Sequence, residues 1–321
     1  MPSTILPVFS RRHVLALGAL PLLARAQGSF PTQPVKVIVP FGPGGLADVT
    51  SRLAGQRLGD KLGQQVVIDN RPGAGGIVAA QTALGAPRDG HTLILFSNGT
   101  TIAKTLLKLP FDPQADFVPV SSLAYFDLDL LVAKDSKVTD LKSLLAEGAK
   151  RQLTFGAINP GSTQNLSAEL FKAVTRLNAT VVPFKTSGDV QAAVMRHDVD
   201  VGFESYTALR GAIDGGVLRA IAGTGPARTA WLPNVPTAKE QGVDYEVTGW
   251  NAIYAPKGTP EHALEVLGKA MREVIAEPDL RKRLSDMGAE PKSSTAAEMA
   301  AVFERDRRKW QQVIQQANIK S

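Results

Sequence analysis

The chain has 321 residues, no cysteine and a formal net charge of +6 at pH 7. Its length exceeds what one hydrophobic core usually serves, so we expect two domains. The lack of cysteine excludes disulfide scaffolds, thiolate metal sites and cysteine nucleophiles. The 36 basic residues nearly balance the 30 acidic ones, and the dense basic runs follow helical patterns, so nothing indicates a nucleic-acid-binding surface.

The first 26 residues have the pattern of a secretory signal. Arg11 and Arg12 precede an apolar run at 14–23 that is too short to span a bilayer, and a small-x-small cleavage pattern follows at 24–26. A membrane anchor is the alternative, which the short run disfavours. The paired arginines resemble a twin-arginine signal, and either the Sec or the Tat route stays open. Cleavage of this segment would remove three arginines and no acidic residue, which would lower the formal net charge from +6 to about +3.

Three successive units read as strand, glycine-rich loop and helix. Strands are predicted at 35–39, 66–69 and 92–96, and each is followed by a loop rich in Gly, Asn or Pro and then by a helical pattern. Such units build a parallel sheet with right-handed crossovers, and their loops gather at one edge, where ligands bind. Helix starts at that edge present free amides and favour an anion.

The second half of the chain repeats this rhythm after an apolar crossing at 120–133. An extended stretch at 245–255 then predicts a return to the first lobe. Three helices are expected to finish the chain, at 260–276, 278–287 and 295–316. We therefore expect a discontinuous first lobe at 28–123 plus 250–321 and a second lobe at 124–249, after a signal peptide at 1–26.

Motifs along the mature chain carry a family resemblance. They are PFGPGG at 40–45 with Asp48, NRPGAGG at 70–76, DGHTL at 89–93, LPFDP at 109–113, DFVPV at 116–120, PNVPT at 233–237 and APKGTP at 255–260. In this order they closely resemble the extracytoplasmic solute receptors of tripartite tricarboxylate transporters, the Bug-type receptors. The resemblance covers essentially the whole mature chain.

The resemblance implies an α/β two-lobe periplasmic binding protein of type II, a Venus flytrap with a hinged cleft. Such a receptor closes on a small carboxylated solute, without cofactor, metal or catalytic residue, and we expect a monomer. Its partner would be a tripartite tricarboxylate transporter membrane complex or, alternatively, a sensor protein. Closure on one ligand requires that the ligand bind the closed state more tightly.

The resemblance also implies which residues bind the solute. Mapped onto this chain, the candidates are Gly42, Gly44, Gly45, Asp48, Asn98, Gly99 and Thr100 in the first lobe, and Asn159, Gly161, Ser162, Thr163, Lys185, Thr186, Ser187, Glu204 and Ser205 in the second.

Three of these candidates carry open interpretations. Asp48 fits a helix-start residue that binds its own loop amides better than a ligand contact. Lys185 fits a surface lysine as well as a carboxylate contact. Glu204 stands with Ser205 where the family commonly has an Asp-Asn pair. We interpret Glu204 as recognising a cationic or hydroxyl-bearing group, or as repelling a second carboxylate.

Two rival functions remain at this point. An exported hydrolase would need Ser162 as nucleophile, yet the Gly-x-Ser-x-Gly elbow is absent and the four scattered histidines form no triad or metal spacing. The effector-binding half of a transcription regulator shares the expected architecture but needs a helix-turn-helix segment upstream. Residues 1–26 resemble an export signal instead.

Overall fold

The computed structural model describes residues 1 and 30–316 of the chain. Apart from residue 1, the predicted signal peptide at 1–26 lies outside the described residues. The described chain folds around two β-sheets with helices packed on their faces. Among the described helices, none is both long enough and apolar enough to cross a membrane.

The first sheet has six strands in the order β11-β4-β10-β3-β1-β2. Strands β1, β2 and β3 run parallel, as the three strand–loop–helix units predict. The sheet is mixed, because β4, β10 and β11 join it antiparallel. Its strands and helices are β1 (Val35–Val39), α1 (Leu46–Leu62), β2 (Val66–Asn70), α2 (Ile77–Leu84), β3 (Thr92–Ser97), α3 (Asn98–Leu106), β4 (Phe117–Asp127), β10 (Thr248–Pro256), α8 (Glu261–Ala276), α9 (Pro278–Asp286), β11 (Glu290–Pro291) and α10 (Ala296–Gln316).

The second sheet has five strands in the order β7-β6-β8-β5-β9. Strand β6 runs parallel to β7 and β8, whereas β5 is antiparallel to β8 and β9. Its elements are β5 (Asp129–Ala133), α4 (Leu141–Gly148), β6 (Leu153–Ile158), α5 (Thr163–Thr175), β7 (Ala179–Phe184), α6 (Ser187–Met195), β8 (Val201–Glu204), α7 (Tyr206–Asp214) and β9 (Leu218–Gly223).

Two chain crossings connect the sheets, and Thr224 binds both of them. Its backbone amide donates to the Leu128 carbonyl (2.8 Å), and its hydroxyl donates to the Val247 carbonyl (2.6 Å) and accepts from the Leu128 amide (2.9 Å). Strand β4 stays in the first sheet to Asp127, and β10 joins it at Thr248. We propose that the lobe boundaries lie at these crossings.

Separate hydrophobic clusters cover the faces of each sheet. Leu58, Leu93 and Leu267 belong to one cluster of the first sheet, and Phe155, Phe171 and Phe203 to one of the second. Helix α10 links the two halves, because Trp310 and Ile314 belong to the second cluster together with Ile102 of α3. Helices α3 and α10 of the first half therefore pack against the core of the second.

Candidate functional site

A central pocket lies where the two lobes meet. Its first-lobe wall comes from the loop after β1, the start of α1, and the strands β3, β4 and β10. Its second-lobe wall comes from the end of β6 and the starts of α5 and α6. The lining residues are Phe41, Gly42, Gly45, Leu46, Ala47, Ser97, Phe126 and Asn251 on one side and Ile158, Thr163, Gln164, Lys185, Thr186 and Ser187 on the other.

Three helices begin at this pocket, one from the first lobe and two from the second. The backbone amides of Leu46 and Ala47 open α1, are buried, and have no protein acceptor among the described residues. Free amides at a helix start carry a partial positive charge. Because helices from both lobes converge here and no carboxylate lines the described pocket, the site suits an anion.

Two side chains in the first-lobe wall lack partners. Asn251 on β10 is 1% exposed, and its Nδ2 has no hydrogen-bond acceptor among the described residues. Ser97 pairs with Asn251 across the sheet, and its buried hydroxyl donates to no acceptor among the described residues. Burying an unpaired polar group costs about 1–3 kcal/mol, so such groups usually meet a ligand or a water. Both donors line the pocket, where a carboxylate would satisfy them.

Hydrogen bonds with side chains outside it hold the glycine-rich loop at 40–45 in place. The Gly44 amide donates to Asp48 Oδ2 (2.9 Å), and Gly44 itself has a φ of 80°, which favours glycine. Arg52 Nε also donates to Asp48 Oδ2 (3.1 Å), and Asn70 Nδ2 donates to the Phe41 carbonyl (3.0 Å). Burial alone would raise the pKa of Asp48, but the bonds from Arg52 and Gly44 lower it overall. Asp48 thus holds the loop rather than lining the pocket.

Close contacts join the loop to the second lobe. A Cβ on Gly42 would lie 2.8 Å from Thr186 Cγ2 and 3.0 Å from the Lys185 carbonyl oxygen. A Cβ on Gly45 would lie 3.2 Å from Ser187 Oγ. The two lobes therefore touch across the pocket, as they do in a closed flytrap.

A side pocket adjoins the central one and shares Phe41 and Ser97 with it. Four of the predicted binding residues line it, namely Thr100, Asn159, Gly161 and Ser162. Asn159 Nδ2 is buried without a partner among the described residues. Ten of the sixteen predicted binding residues thus line one or the other of these adjoining pockets.

Asn98 and Gly99 lie where the lobes touch and line neither pocket. The Thr163 hydroxyl donates to Asn98 Oδ1, while Asn98 Nδ2 donates to the Thr248 carbonyl (3.0 Å) on the crossing strand. A Cβ on Gly99 would lie 2.8 Å from the Thr163 amide nitrogen. These two residues therefore form part of the contact between the lobes.

Glu204 and Ser205 lie behind the second-lobe wall. Glu204 is fully buried, and its carboxylate accepts from Gln164 Nε2 (2.8 Å), Ser187 Oγ (2.7 Å) and the Ser205 amide (2.7 Å). Burial raises the pKa of Glu204, and the hydrogen bonds from Gln164, Ser187 and Ser205 oppose that rise. Glu204 contacts the pocket only through Gln164 and Ser187.

Several lining residues escaped the sequence prediction. Gln164 directly follows Thr163 in the first turn of α5, and a search for side chains at helix starts would have found it. Asn251 and Phe126 lie on the crossing strands, where the sequence gives no sign of which face points to the cleft. The others missed were Phe41, Leu46, Ala47, Ser97 and Ile158.

Comparisons with known proteins point to one family. The family model described as "Tripartite tricarboxylate transporter family receptor" matches residues 50–319. A protein from the tcbD-tcbE intergenic region of a Pseudomonas species is 32% identical over 95% of this chain and 94% of its own length. BugT of Bordetella pertussis is 30% identical, with 91% of each chain covered.

Solved structures agree with the sequence relatives. A Rhodopseudomonas palustris protein solved with adipate has a TM-score of 0.87 at 32% identity, over 91% of this chain and 99% of its own. MatC from the same species, with bound malate, has a TM-score of 0.85 at 31% identity, over 89% and 100%. The periplasmic binding protein BugD has a TM-score of 0.86 at 25% identity, over 91% and 99%. The two-sheet fold is therefore that of the two-lobe periplasmic binding proteins.

Proposed function

This chain belongs to the tripartite tricarboxylate transporter receptor family, and we propose that it captures a small carboxylate-bearing solute by closure of its two lobes. Membership confirms the resemblance carried by the sequence motifs. It also makes the chain one of a family of periplasmic solute-binding receptors.

One observation carries the proposal. The starts of α1, α5 and α6 converge on a pocket whose described lining holds no carboxylate but includes Asn251, whose buried Nδ2 has no acceptor among the described residues. Such a site binds a carboxylate without leaving an isolated charge buried in the empty cleft. The adipate and malate found in two structural neighbours support the same ligand class for this chain.

Export and partners complete the proposal. We propose that residues 1–26 direct export to the periplasm, with the Sec or Tat route left to experiment. The closed receptor then delivers its solute to a membrane permease; presentation of the bound solute to a sensor protein is the alternative.

We propose that the receptor performs no chemistry on its solute. Ser162, the nucleophile that a hydrolase would need, donates its hydroxyl to the Ile158 carbonyl (2.7 Å) and accepts the Asn165 amide (3.1 Å) as a helix cap. Neither a histidine nor a carboxylate lines the described central pocket, and Ser187 Oγ is bonded to the buried Glu204 carboxylate rather than to a histidine. These contacts favour a receptor over an exported hydrolase.

A thermal-shift screen of the exported protein against carboxylates, amino acids and aromatic acids tests this function. A ligand at about 100 times its Kd adds about 2.7 kcal/mol to the free energy of unfolding, so at least one carboxylate should raise the Tm by several degrees. Gly45→Trp, which fills the pocket from the α1 side, should keep the Tm of the free protein and abolish the shift. A well-folded protein that no carboxylate stabilises would contradict the function.

A further inference from the structure

Every hydroxyl or amide side chain in the second-lobe wall already donates a hydrogen bond away from the pocket. Gln164 Nε2 and Ser187 Oγ donate to Glu204. The Thr186 hydroxyl donates to Asp189 Oδ2 (2.8 Å), and the Thr163 hydroxyl donates to Asn98 Oδ1. The three hydroxyls of this wall therefore keep only lone pairs for a ligand.

Glu204 fixes the direction of two of these groups. An ionised carboxylate can only accept hydrogen bonds, so Gln164 must turn its amino group to Glu204 and its amide oxygen the other way. Ser187 likewise gives its single proton to Glu204 and keeps only lone pairs for a ligand. Both residues line the central pocket, whereas Glu204 itself is fully buried behind them.

The first-lobe wall has the opposite character. Asn251 Nδ2 and the Ser97 hydroxyl are buried donors without a partner among the described residues, and the free amides of Leu46 and Ala47 lie beside them. The side chains of the pocket are thus polarised, with donors on the first lobe and acceptors on the second, while the starts of α5 and α6 add backbone amides to the second wall. A carboxylate matches the side chains of the first wall and the helix starts, and a group with an N–H or O–H proton matches the side chains of the second wall.

We infer that Glu204, acting through Gln164 and Ser187, makes the receptor select a carboxylate that also carries a hydrogen-bond donor, such as a hydroxyl or an ammonium group, over a dicarboxylate. The inference rests on the carboxylate-binding function proposed above. The negative charge of Glu204 opposes a second carboxylate at this wall. Lys185 is exposed at the pocket, where water screens its charge, so it compensates only weakly.

Calorimetric titration with matched solutes tests the inference. The exported protein is titrated at pH 8, to favour ionised Glu204, with adipate, 6-hydroxyhexanoate, 6-aminohexanoate and hexanoate, and with the corresponding four-carbon acids. We expect the tightest ligand of at least one series to carry the donor group and to bind at least about tenfold more tightly than the dicarboxylate of that series, a difference of about 1.4 kcal/mol.

Variants separate selectivity from stability. Glu204→Gln lets Gln164 and Ser187 turn their protons to the pocket, and should reduce the preference to less than about threefold. Ser187→Ala removes one of the two acceptors that Glu204 orients, and should also lower the preference for the donor-bearing acid over the dicarboxylate. If Glu204→Gln does not fold, the selectivity of Ser187→Ala tests the inference in its place. Glu147→Gln on α4, where Glu147 pairs with Arg151 away from both pockets, is the matched control and should keep the wild-type preference.

Different results would contradict the inferred selectivity and the proposed carboxylate-binding function. If no donor-bearing acid of either series binds the wild type at least about tenfold more tightly than the dicarboxylate of its series, the receptor function stands and the role of Glu204 is overturned. Unchanged selectivity in the folded variants also overturns that role. If no acid of either series binds, the carboxylate function and the inference fall together.

Discussion

At the pocket, the smallest residues set how closely the two lobes approach. Gly42 has an ordinary backbone conformation, so an alanine there brings no backbone strain, yet its Cβ would press on Thr186 and the Lys185 carbonyl. The contact exists only when the lobes touch. Gly42 therefore tests closure without filling the pocket.

We expect Gly42→Ala to weaken solute binding about tenfold, because overpacking of a close contact costs about 1–3 kcal/mol. The free energy of unfolding should stay within about 0.5 kcal/mol of wild type, since the lobes can open to relieve the contact. Gly211→Ala on α7, where a Cβ meets nothing within 4 Å, is the matched control for calorimetry. Equal affinity of all three proteins would show that binding does not need this contact.

Lys185 is the only cation among the described residues of the central pocket, and it is exposed. We expect Lys185→Met to lower carboxylate affinity about two- to fivefold at low salt, because an exposed charge contributes less than about 1 kcal/mol. The loss should shrink in 0.5 M salt, where screening removes the contribution of Lys185 in the wild type. Titrations at the two salt concentrations, with Lys142→Met on α4 as control, measure this. A salt-independent loss would indicate a buried, direct ion pair instead.

At the level of secondary structure, the sequence predicts where strands and helices lie better than it predicts which strands pair with each other. The β-branched runs and glycine loops of β1, β2 and β3 predict the parallel sheet, and the structure confirms it. The antiparallel places of β4, β10 and β11 could not be predicted, because each pairs with strands distant in sequence. Nothing in the local pattern of Phe117–Asp127 specifies those partners.

The same limit applies to the site. Loops after strands and residues at helix starts could be found in the sequence, because they follow from chain direction alone. Whether such a residue lines a pocket, joins the lobes or lies behind the wall depends on packing between the lobes. Thr163 lines the pocket, Asn98 joins the lobes and Glu204 lies behind the wall, although the family resemblance implies all three as binding residues.

The crossing from β4 to β5 carries two carboxylates with perturbed pKa values. Burial, followed by the charges of Glu290 and Glu246, raises the pKa of Asp127 to about 6. Burial, with the charge of Asp127, also raises that of Asp129. A folded pKa above the unfolded value means that the native state holds the proton more tightly, so stability falls as the pH rises through this window.

We therefore expect the free energy of unfolding to increase when the pH is lowered from 7 to 5. Asp127→Asn should raise it at pH 7 by about 1–3 kcal/mol, because the uncharged amide removes the cost of a buried charge. The difference between variant and wild type should shrink from pH 7 toward pH 4, because Asp127 of the native wild type takes up its proton over this range. Denaturant unfolding at several pH values measures this, and a pH-independent difference would contradict the assigned titration.

In the whole molecule, we propose that the two lobes present complementary walls to one solute. Three helix starts supply amides for a carboxylate, and the contacts at Gly42, Asn98 and Gly99 appear where the lobes meet. Thr224 binds both crossings and so marks the pivot about which the lobes would open. Export by residues 1–26 would place this receptor beside its membrane partner.

The most direct test of the central claim is a crystal structure of the exported protein with the best carboxylate from the thermal-shift screen. We expect the carboxylate between the lobes, with its oxygens within hydrogen-bond distance of the Leu46 and Ala47 amides and of Asn251 Nδ2, which are free in the described pocket. A ligand bound outside the central and side pockets, or bound without contact to both lobes, would contradict the account.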